Sequence, residues 1–219
     1  MNINEVIDAV EMVYGSFRED IRISETRLEG CERRLGVKLP DSVRTLYLRT
    51  GGHGFHHACD SLIAPEELKF DGEFLVFYRQ DQGSLSWGIN RNEFSIDDPQ
   101  VWAIYDDEVL SDSPTVSGFL AFEAAWQAIN GGALPCYGIL DEYKQEPVEF
   151  SPAYFENEGI LISETRHGEV RYKAGVILLH CSEGEGFLGL ATTTESAFHE
   201  TAKELRVAID DWTINSFLP

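Results

Sequence analysis

The stretch from Ile23 to Gly54 reads ISETRLEGCERRLGVKLPDSVRTLYLRTGGHG, and it holds the starts and stops of two helices. Leu28, Cys31 and Leu35 recur at helical spacing, so a helix is predicted from about Ser24 to Leu35. Thr26 with Glu29 would form a capping box, and Ser24 is a rival start. Gly36 stands at the usual C-terminal glycine position. Pro40 sits where a second helix begins, with Val43, Leu46 and Tyr47 as its apolar face and Gly51-Gly52 as its stop. Gly36 and Gly51 are both expected in the left-handed conformation, and Leu35 and Tyr47 in the core. Glu32 has two readings: it reaches a backbone amide of the following loop, or it is a solvated helix residue.

Working outward, Val6, Ile7, Val10, Val13 and Tyr14 share one face of an opening helix. Beyond Gly52 the apolar period changes from about 3.6 to 2. Phe74 to Tyr78 reads as a bulky strand covered on both sides, followed by a hairpin connection at Asp81-Gln82-Gly83. From Ser84 to Asn90, Leu85, Trp87 and Ile89 alternate with polar or small residues, the pattern of a half-buried antiparallel strand. Val101 to Tyr105 is a third strand after an Asp97-Asp98-Pro99 turn, and Ser117 to Ile129 a helix with Phe119, Phe122, Trp126 and Ile129 inward. Gly131-Gly132 ends that helix. After an irregular region up to about Gly168, Tyr172 to Cys181 and Phe187 to Thr193 read as two strands around a Gly-rich turn. A final helix runs from about Glu195 to Ile209, with Phe198, Ala202, Leu205 and Ile209 on one side. The expectation is one α+β domain over residues 1–219.

The order of these features resembles the SUKH superfamily, which includes bacterial immunity proteins and the yeast cell-wall assembly regulator. The resemblance rests on Glu32, Leu35, Gly36, Leu39, Pro40, Tyr47, Gly51 and Gly52, then on the strand pair with Gly83 and Trp87. Asp98, Pro99, Val101 and the aromatic helix complete it. It covers about residues 20–130. Residues 131–219 would be further strands and a helix on the same sheet, or a small appendage. The resemblance implies a central, mostly antiparallel sheet with helices mainly on one side. For bacterial members it also implies neutralisation of a toxin, often a nuclease or deaminase, by direct binding inside the cell.

Charge carries an independent argument. The net charge is −21, and it is uneven: residues 1–50 hold 9 acids and 8 bases, residues 51–150 hold 18 and 4, and residues 151–219 hold 11 and 5. A negative surface repels nucleic-acid phosphates and anionic lipid, so neither is expected as a partner. A basic protein is, because opposite charge steers encounter. The predicted docking face spans residues 71–112, with Glu73, Asp97, Asp98, Asp106, Asp107, Glu108 and Asp112 as acids and Trp102 or Tyr105 as aromatic anchors. A general scaffold or regulatory module with another protein partner is the alternative.

No apolar run approaches the ~20 residues of a membrane span, and Glu5, Asp8 and Glu11 break up any secretory signal. With four scattered cysteines, this favours the reducing cytoplasm. Catalytic readings are weak. Gly184-x-Gly186-x-x-Gly189 resembles a dinucleotide fingerprint, but Leu190 to Thr194 favours a strand where a helix is required, and only 30 residues follow Gly189. His53, His56, His57 and Cys59 share a loop, but no ligand pair elsewhere answers them for zinc, and a hydrolase built on this loop is the least favoured reading. No enzyme activity, metal or cofactor is expected.

Overall fold

A computed structural model describes residues 2–17, 22–81, 83–141, 161–165, 168–181 and 187–217. The chain divides into two units, one of Met1–Ile7 with Phe17–Leu120 and one of Asp8–Ser16 with Ala121–Pro219. The division falls within the helices α1 (Ile3–Tyr14) and α4 (Val116–Ile129).

The first unit contains α2 (Glu25–Leu35) and α3 (Asp41–Thr50), the two helices of the opening stretch. Ser24 is the N-cap of α2, its side chain accepting a bond from the Arg27 amide, so the rival start is the one used. Gly36 ends α2 at φ 70°, ψ 23°, the left-handed cap that only glycine adopts cheaply. Gly51 does not match its expectation. Its φ is −59°, and what requires glycine there is crowding: a Cβ would stand 2.6 Å from Ile23 Cγ1 and 2.7 Å from the Tyr47 carbonyl oxygen. Leu28 and Cys31 are buried as the spacing predicts, while Leu35 is only half-buried; the third fully buried residue of α2 is Glu32.

The sheet of this unit comprises β1 (Asp60–Leu62), β2 (Lys69–Asp71), β3 (Phe74–Gln80), β4 (Ser86–Asn90), β5 (Val101–Ile104) and β6 (Val109–Ser113). Its order is β1-β3-β4-β5-β6, β2 also pairs with β3, and every pairing is antiparallel. Gly83, at φ 78°, bonds back to the Gln80 carbonyl in the β3–β4 connection; Gln82, also read as part of that turn, lies outside the described residues. The α4 ring of Phe119 packs edge-on to Phe77 and Tyr78 and tilted on Trp87, with centroids 5.4–5.6 Å apart. Gly88 is buried as well as Trp87 and Ile89, because a Cβ there would meet the Leu75 carbonyl oxygen at 2.9 Å. On the polar face only Gly88 is buried; Ser84 is exposed and Ser86 and Asn90 are half-buried, as the alternation predicts.

The second unit has a sheet of its own, in the order β12-β7-β11-β10-β9-β8. Its strands are β7 (Cys136–Asp141), β8 (Leu161–Thr165), β9 (Gly168–Lys173), β10 (Val176–Cys181), β11 (Phe187–Thr192) and β12 (Thr213–Phe217), all paired antiparallel. The later strands thus form a separate sheet and do not extend the first. The predicted strand from Tyr172 to Cys181 is two, β9 and β10, joined at Gly175 with φ 72°. Helix α5 (Glu195–Glu204) packs Phe198 and Ala202 into a core with Leu140, Leu178, Leu190 and Trp212. It is shorter than its apolar face suggested. Leu205 is still buried, but Arg206 turns to φ 60° and ends the helical path. Gly138 and Gly189 let helices approach this sheet: a Cβ would stand 3.0 Å from Phe198 and 2.7 Å from Ile129, respectively.

Candidate functional site

The residues predicted to bind a partner all lie in the first unit, and strand register places them at two ends of one sheet. Phe74 pairs with Asn90 and Gly88 with Trp102, so Glu73 and the Asp97-Asp98-Pro99 turn lie toward one end. Ser86 pairs with Ile104 and Ile104 with Val109, so Tyr105, Asp106, Asp107 and Glu108 form the hairpin tip at the other. The length of a five-residue strand separates them, roughly 15 Å.

Two of the acids have internal partners. The Asp98 carboxylate accepts bonds from the Ser117 amide at 3.1 Å and the Ser117 hydroxyl at 2.5 Å, where the first turn of α4 leaves amides unpaired. Asp112 is buried and accepts the indole N–H of Trp87 at 3.3 Å. Trp102 is half-buried beside Phe74, ring centroids 6.0 Å apart, and its indole N–H is buried without an acceptor among the described residues.

The hairpin tip is different in kind. Asp106, Asp107 and Glu108 are exposed, and the turn is closed by the Tyr105 amide donating to the Glu108 carbonyl at 2.9 Å. Tyr105 and Val109 flank the acids and are 39 % and 40 % exposed, two of only four large apolar residues so exposed among those described. With Ser84 and Leu110, Tyr105 and the three acids line a surface concavity of about 460 Å³. Val109, Ser84 and Leu110 were not singled out by sequence. The segment Val109 to Ser113 has just two apolar residues, too few for a strand signal.

Most residues behind the family resemblance do structural work. The carboxylate of Glu32, 3 % exposed, accepts bonds from the Leu39 amide (3.0 Å), Lys38 Nζ (2.8 Å) and Arg44 Nη1 (2.8 Å). Of its two readings, the reach to a loop amide is the one realised. Burial pushes its pKa up, but the bonds from Lys38, the Leu39 amide and Arg44 outweigh this and leave it below the usual value. Tyr47 is buried and donates its hydroxyl to the Ile63 carbonyl at 2.6 Å. Leu39, Pro40, Trp87 and Pro99 are buried, and Gly52 is exposed.

The histidine loop folds as a short 3-10 turn, Gly54–His57. His56 is fully buried, with Nε2 2.9 Å from Thr50 Oγ1 and Nδ1 3.3 Å from the Tyr78 hydroxyl. Burial, with His57 and His53 nearby, lowers its pKa well below the ordinary value. His53 accepts the Phe55 amide, and His57 is exposed. Among the described residues no group of three or more His, Cys, Asp or Glu is placed to share a metal ion, and no helix is long and apolar enough to cross a membrane. Gly189 is a β11 residue paired with Leu179 and Ile139, in the strand position expected; Gly184 and Gly186 lie outside the described residues.

Comparison with curated proteins and with solved structures gave no match. The model of the SMI1 / KNR4 family (SUKH-1) matches residues 22–218, from just before α2 to just after β12. An α+β chain of antiparallel sheets whose matched region opens with the Glu32-anchored helix pair, the protein belongs to the SMI1 / KNR4 family (SUKH-1).

Proposed function

We propose that this chain is a non-catalytic, cytoplasmic immunity protein that neutralises a basic toxin by docking on the β5–β6 hairpin tip. The observation that carries the reading is the composition of that tip. Three exposed carboxylates, Asp106, Asp107 and Glu108, lie between two exposed apolar side chains, Tyr105 and Val109, and the acids share one concave surface with Tyr105. Interfaces are anchored by a few aromatic and apolar groups that become desolvated, while surrounding charge sets encounter rate and register. A toxin whose own substrate carries phosphates presents a basic cleft, and an acidic hairpin fills it as a mimic of that substrate. Membership of the family supports binding as the mode of action.

The test is co-expression with a candidate toxin fragment from a neighbouring gene, scored for rescue of growth and stable co-purification. The wild type should rescue. The triple variant D106N/D107N/E108Q should associate more slowly and with a weaker salt dependence, and Y105A should raise the dissociation rate. Unchanged association rate and salt slope in the triple variant would remove the hairpin as the site. Absence of rescue, together with stable capture of a different protein, would move the reading to a regulatory or scaffolding module.

A further inference from the structure

The histidine loop, which docking at the hairpin tip leaves without a role, is held by two imidazoles that must both be neutral. We propose that residues 52–58 form an acid-released latch, which leaves the core of the first unit when His53 and His56 take up protons while α3 and β3 stay folded.

The hydrogen bonds fix the protonation state. His56 is 0 % exposed, with Nε2 2.9 Å from Thr50 Oγ1. The Thr50 hydroxyl already donates its proton to the Leu46 carbonyl at 2.8 Å, so Nε2 is the donor and carries the single proton of the neutral ring. Nδ1 is then an acceptor, 3.3 Å from the Tyr78 hydroxyl that donates to it. His53 Nδ1 accepts the Phe55 amide at 3.2 Å, and a proton on that nitrogen would set two donors against each other. The remaining bonds of the turn are local: the His53 amide donates to the Thr50 carbonyl at 2.8 Å and the His56 amide to the His53 carbonyl at 3.1 Å.

The surroundings oppose a charge on His56. Thr50 of α3 and Tyr78 of β3 face it uncharged, and the Phe55 ring lies 4.0 Å away between centroids. Burial comes first among the influences on its pKa, followed by His57 and His53, and all three disfavour the protonated form. Asp60, the buried carboxylate of β1, does not offset them. Arg22, bonded to the Phe17 carbonyl, adds a cation on the Phe17 side. Burial lowers the pKa of His53 as well. Both imidazoles bind protons more tightly once the segment is in water, so release is coupled to proton uptake and grows as pH falls through about 6.5.

Release breaks far less than unfolding does. Helix α3 ends at Thr50, before the segment begins, and β3 keeps its ladder to β4. After the segment comes β1, three residues long, which pairs with β3 at the end of the sheet. Gly52 is exposed and a Cβ at Gly54 would meet nothing within 4 Å, so the entry to the turn has room to rotate. Short units of this kind open before the structure around them. Phe17 is 2 % exposed and packs on the rings of His53 and Phe55, with centroids 4.8 and 5.9 Å away. Release uncovers it, so acid presents apolar surface that neutral pH hides. None of this depends on where a partner docks.

The test is native-state amide exchange of the full chain at pH 7.5, 6.5 and 5.5 in low urea, with rates corrected for intrinsic pH dependence. The reporters are the amides of His53, Phe55 and His56, compared with those of β3 and β4. The reporters should exchange through an opening that low urea does not change, because little surface is exposed, while β3 and β4 show the steep urea dependence of unfolding. The equilibrium constant of that opening should rise about tenfold from pH 7.5 to 5.5 for His56, and further for His53. H56F should cut the rise to the few-fold share of His53, and H57Q, at an exposed ring, should keep it. The proposal is overturned if the reporters share the urea dependence of β3 and β4 at pH 5.5, if their opening does not rise with acid, or if H56F keeps the wild-type rise. The first two outcomes need only the wild type, so a variant that fails to fold leaves the test intact. Failure of the wild type to rescue from the toxin would strike the immunity reading, whereas a loop that opens only with the whole unit would strike this latch alone.

Discussion

Replacing Glu32 should destabilise the first unit in a graded way, and the grades follow from its three bonds. Lys38 is 82 % exposed on its side chain, so its pairing is screened and contributes about 0.5 kcal/mol or less. Arg44 is 19 % exposed against a carboxylate that is 3 % exposed, a charge-assisted bond of about 1.5–3 kcal/mol. The Leu39 amide is buried, and orphaning it costs about 1–3 kcal/mol. Glu32→Ala loses all three, but Glu25 still partners Arg44, so the total should be about 3–4 kcal/mol, within the usual cost of breaking a buried pair. Glu32→Gln keeps an acceptor for Leu39 and loses the charge, for about 1.5–2 kcal/mol. Lys38→Ala should be nearly silent. Urea unfolding at neutral pH measures each as a shift in midpoint at constant slope. Because the carboxyl pKa is held below 4.5 in the folded state, the Glu32 contribution is complete above about pH 4.5 and is lost as pH falls through the folded value. In both variants that part of the acid limb should therefore be missing, while the part due to Glu66, whose pKa Arg27 lowers to about 2, remains. A Glu32→Gln protein as stable as wild type, or a Glu32→Ala loss below about 1 kcal/mol, would refute the reasoning.

His56 is neutral when folded and has a lowered pKa, so the unfolded chain binds more protons below the ordinary value of 6.5, and stability should fall from about pH 6.5 downward with a slope approaching 1.4 kcal/mol per pH unit. His56→Phe should flatten that slope in urea midpoints measured between pH 7.5 and 5.5, leaving the smaller contribution of His53, which burial also lowers. Gly36→Asn should cost less than Gly36→Ala, since asparagine tolerates a positive φ, whereas at Gly51 asparagine should cost more than alanine, since space is what is short there. Phe198→Ala should cost about 3–5 kcal/mol in thermal or urea unfolding, as a fully buried ring of the second unit's core.

Helices were legible because their signals are local. Ser24, Gly36, Pro40 and the apolar spacing of Val43, Leu46 and Tyr47 each act within a few residues, and α2 and α3 lie within a residue or two of the predicted limits. The long strands β3, β4, β10 and β11 were read from their apolar content. Short or polar strands were not: β1, β2, β6 and β12 acquire their identity from a partner distant in sequence, as Asp60 does from Gln80 and Thr213 from Ile139. For the same reason the second sheet was not separable from the first, since pairing of β7 with both β11 and β12 is a matter of register that composition does not carry. Gly51 was placed correctly as a helix stop but for a local reason, φ, when the operative one is its tertiary contact with Ile23.

The same distinction decides what the negative charge means. Counting acids along residues 51–150 treats them as interchangeable, but the fold sorts them by whether a donor is already aimed at them. Asp98 holds the first turn of α4, Asp112 holds the Trp87 indole, and Glu66 pairs with Arg27 through two bonds of 2.7 Å. Each of these has part of its negative potential answered within the chain and has less to offer an outside cation. Asp106, Asp107 and Glu108 sit on a two-strand turn whose own hydrogen bond is backbone to backbone, so forming it uses none of their carboxylates. An acid whose carboxylate the fold does not require retains its field for a partner, and it is also the acid that can be changed without harming stability. The hairpin variants therefore separate binding from folding in a way that Asp98 or Asp112 variants would not. D98N and D112N should lower the unfolding midpoint in the free protein, and D106N/D107N/E108Q should leave it within about 0.5 kcal/mol of wild type. A triple variant that unfolds early would mean that these carboxylates support the fold, and the argument for docking at the tip would go with them.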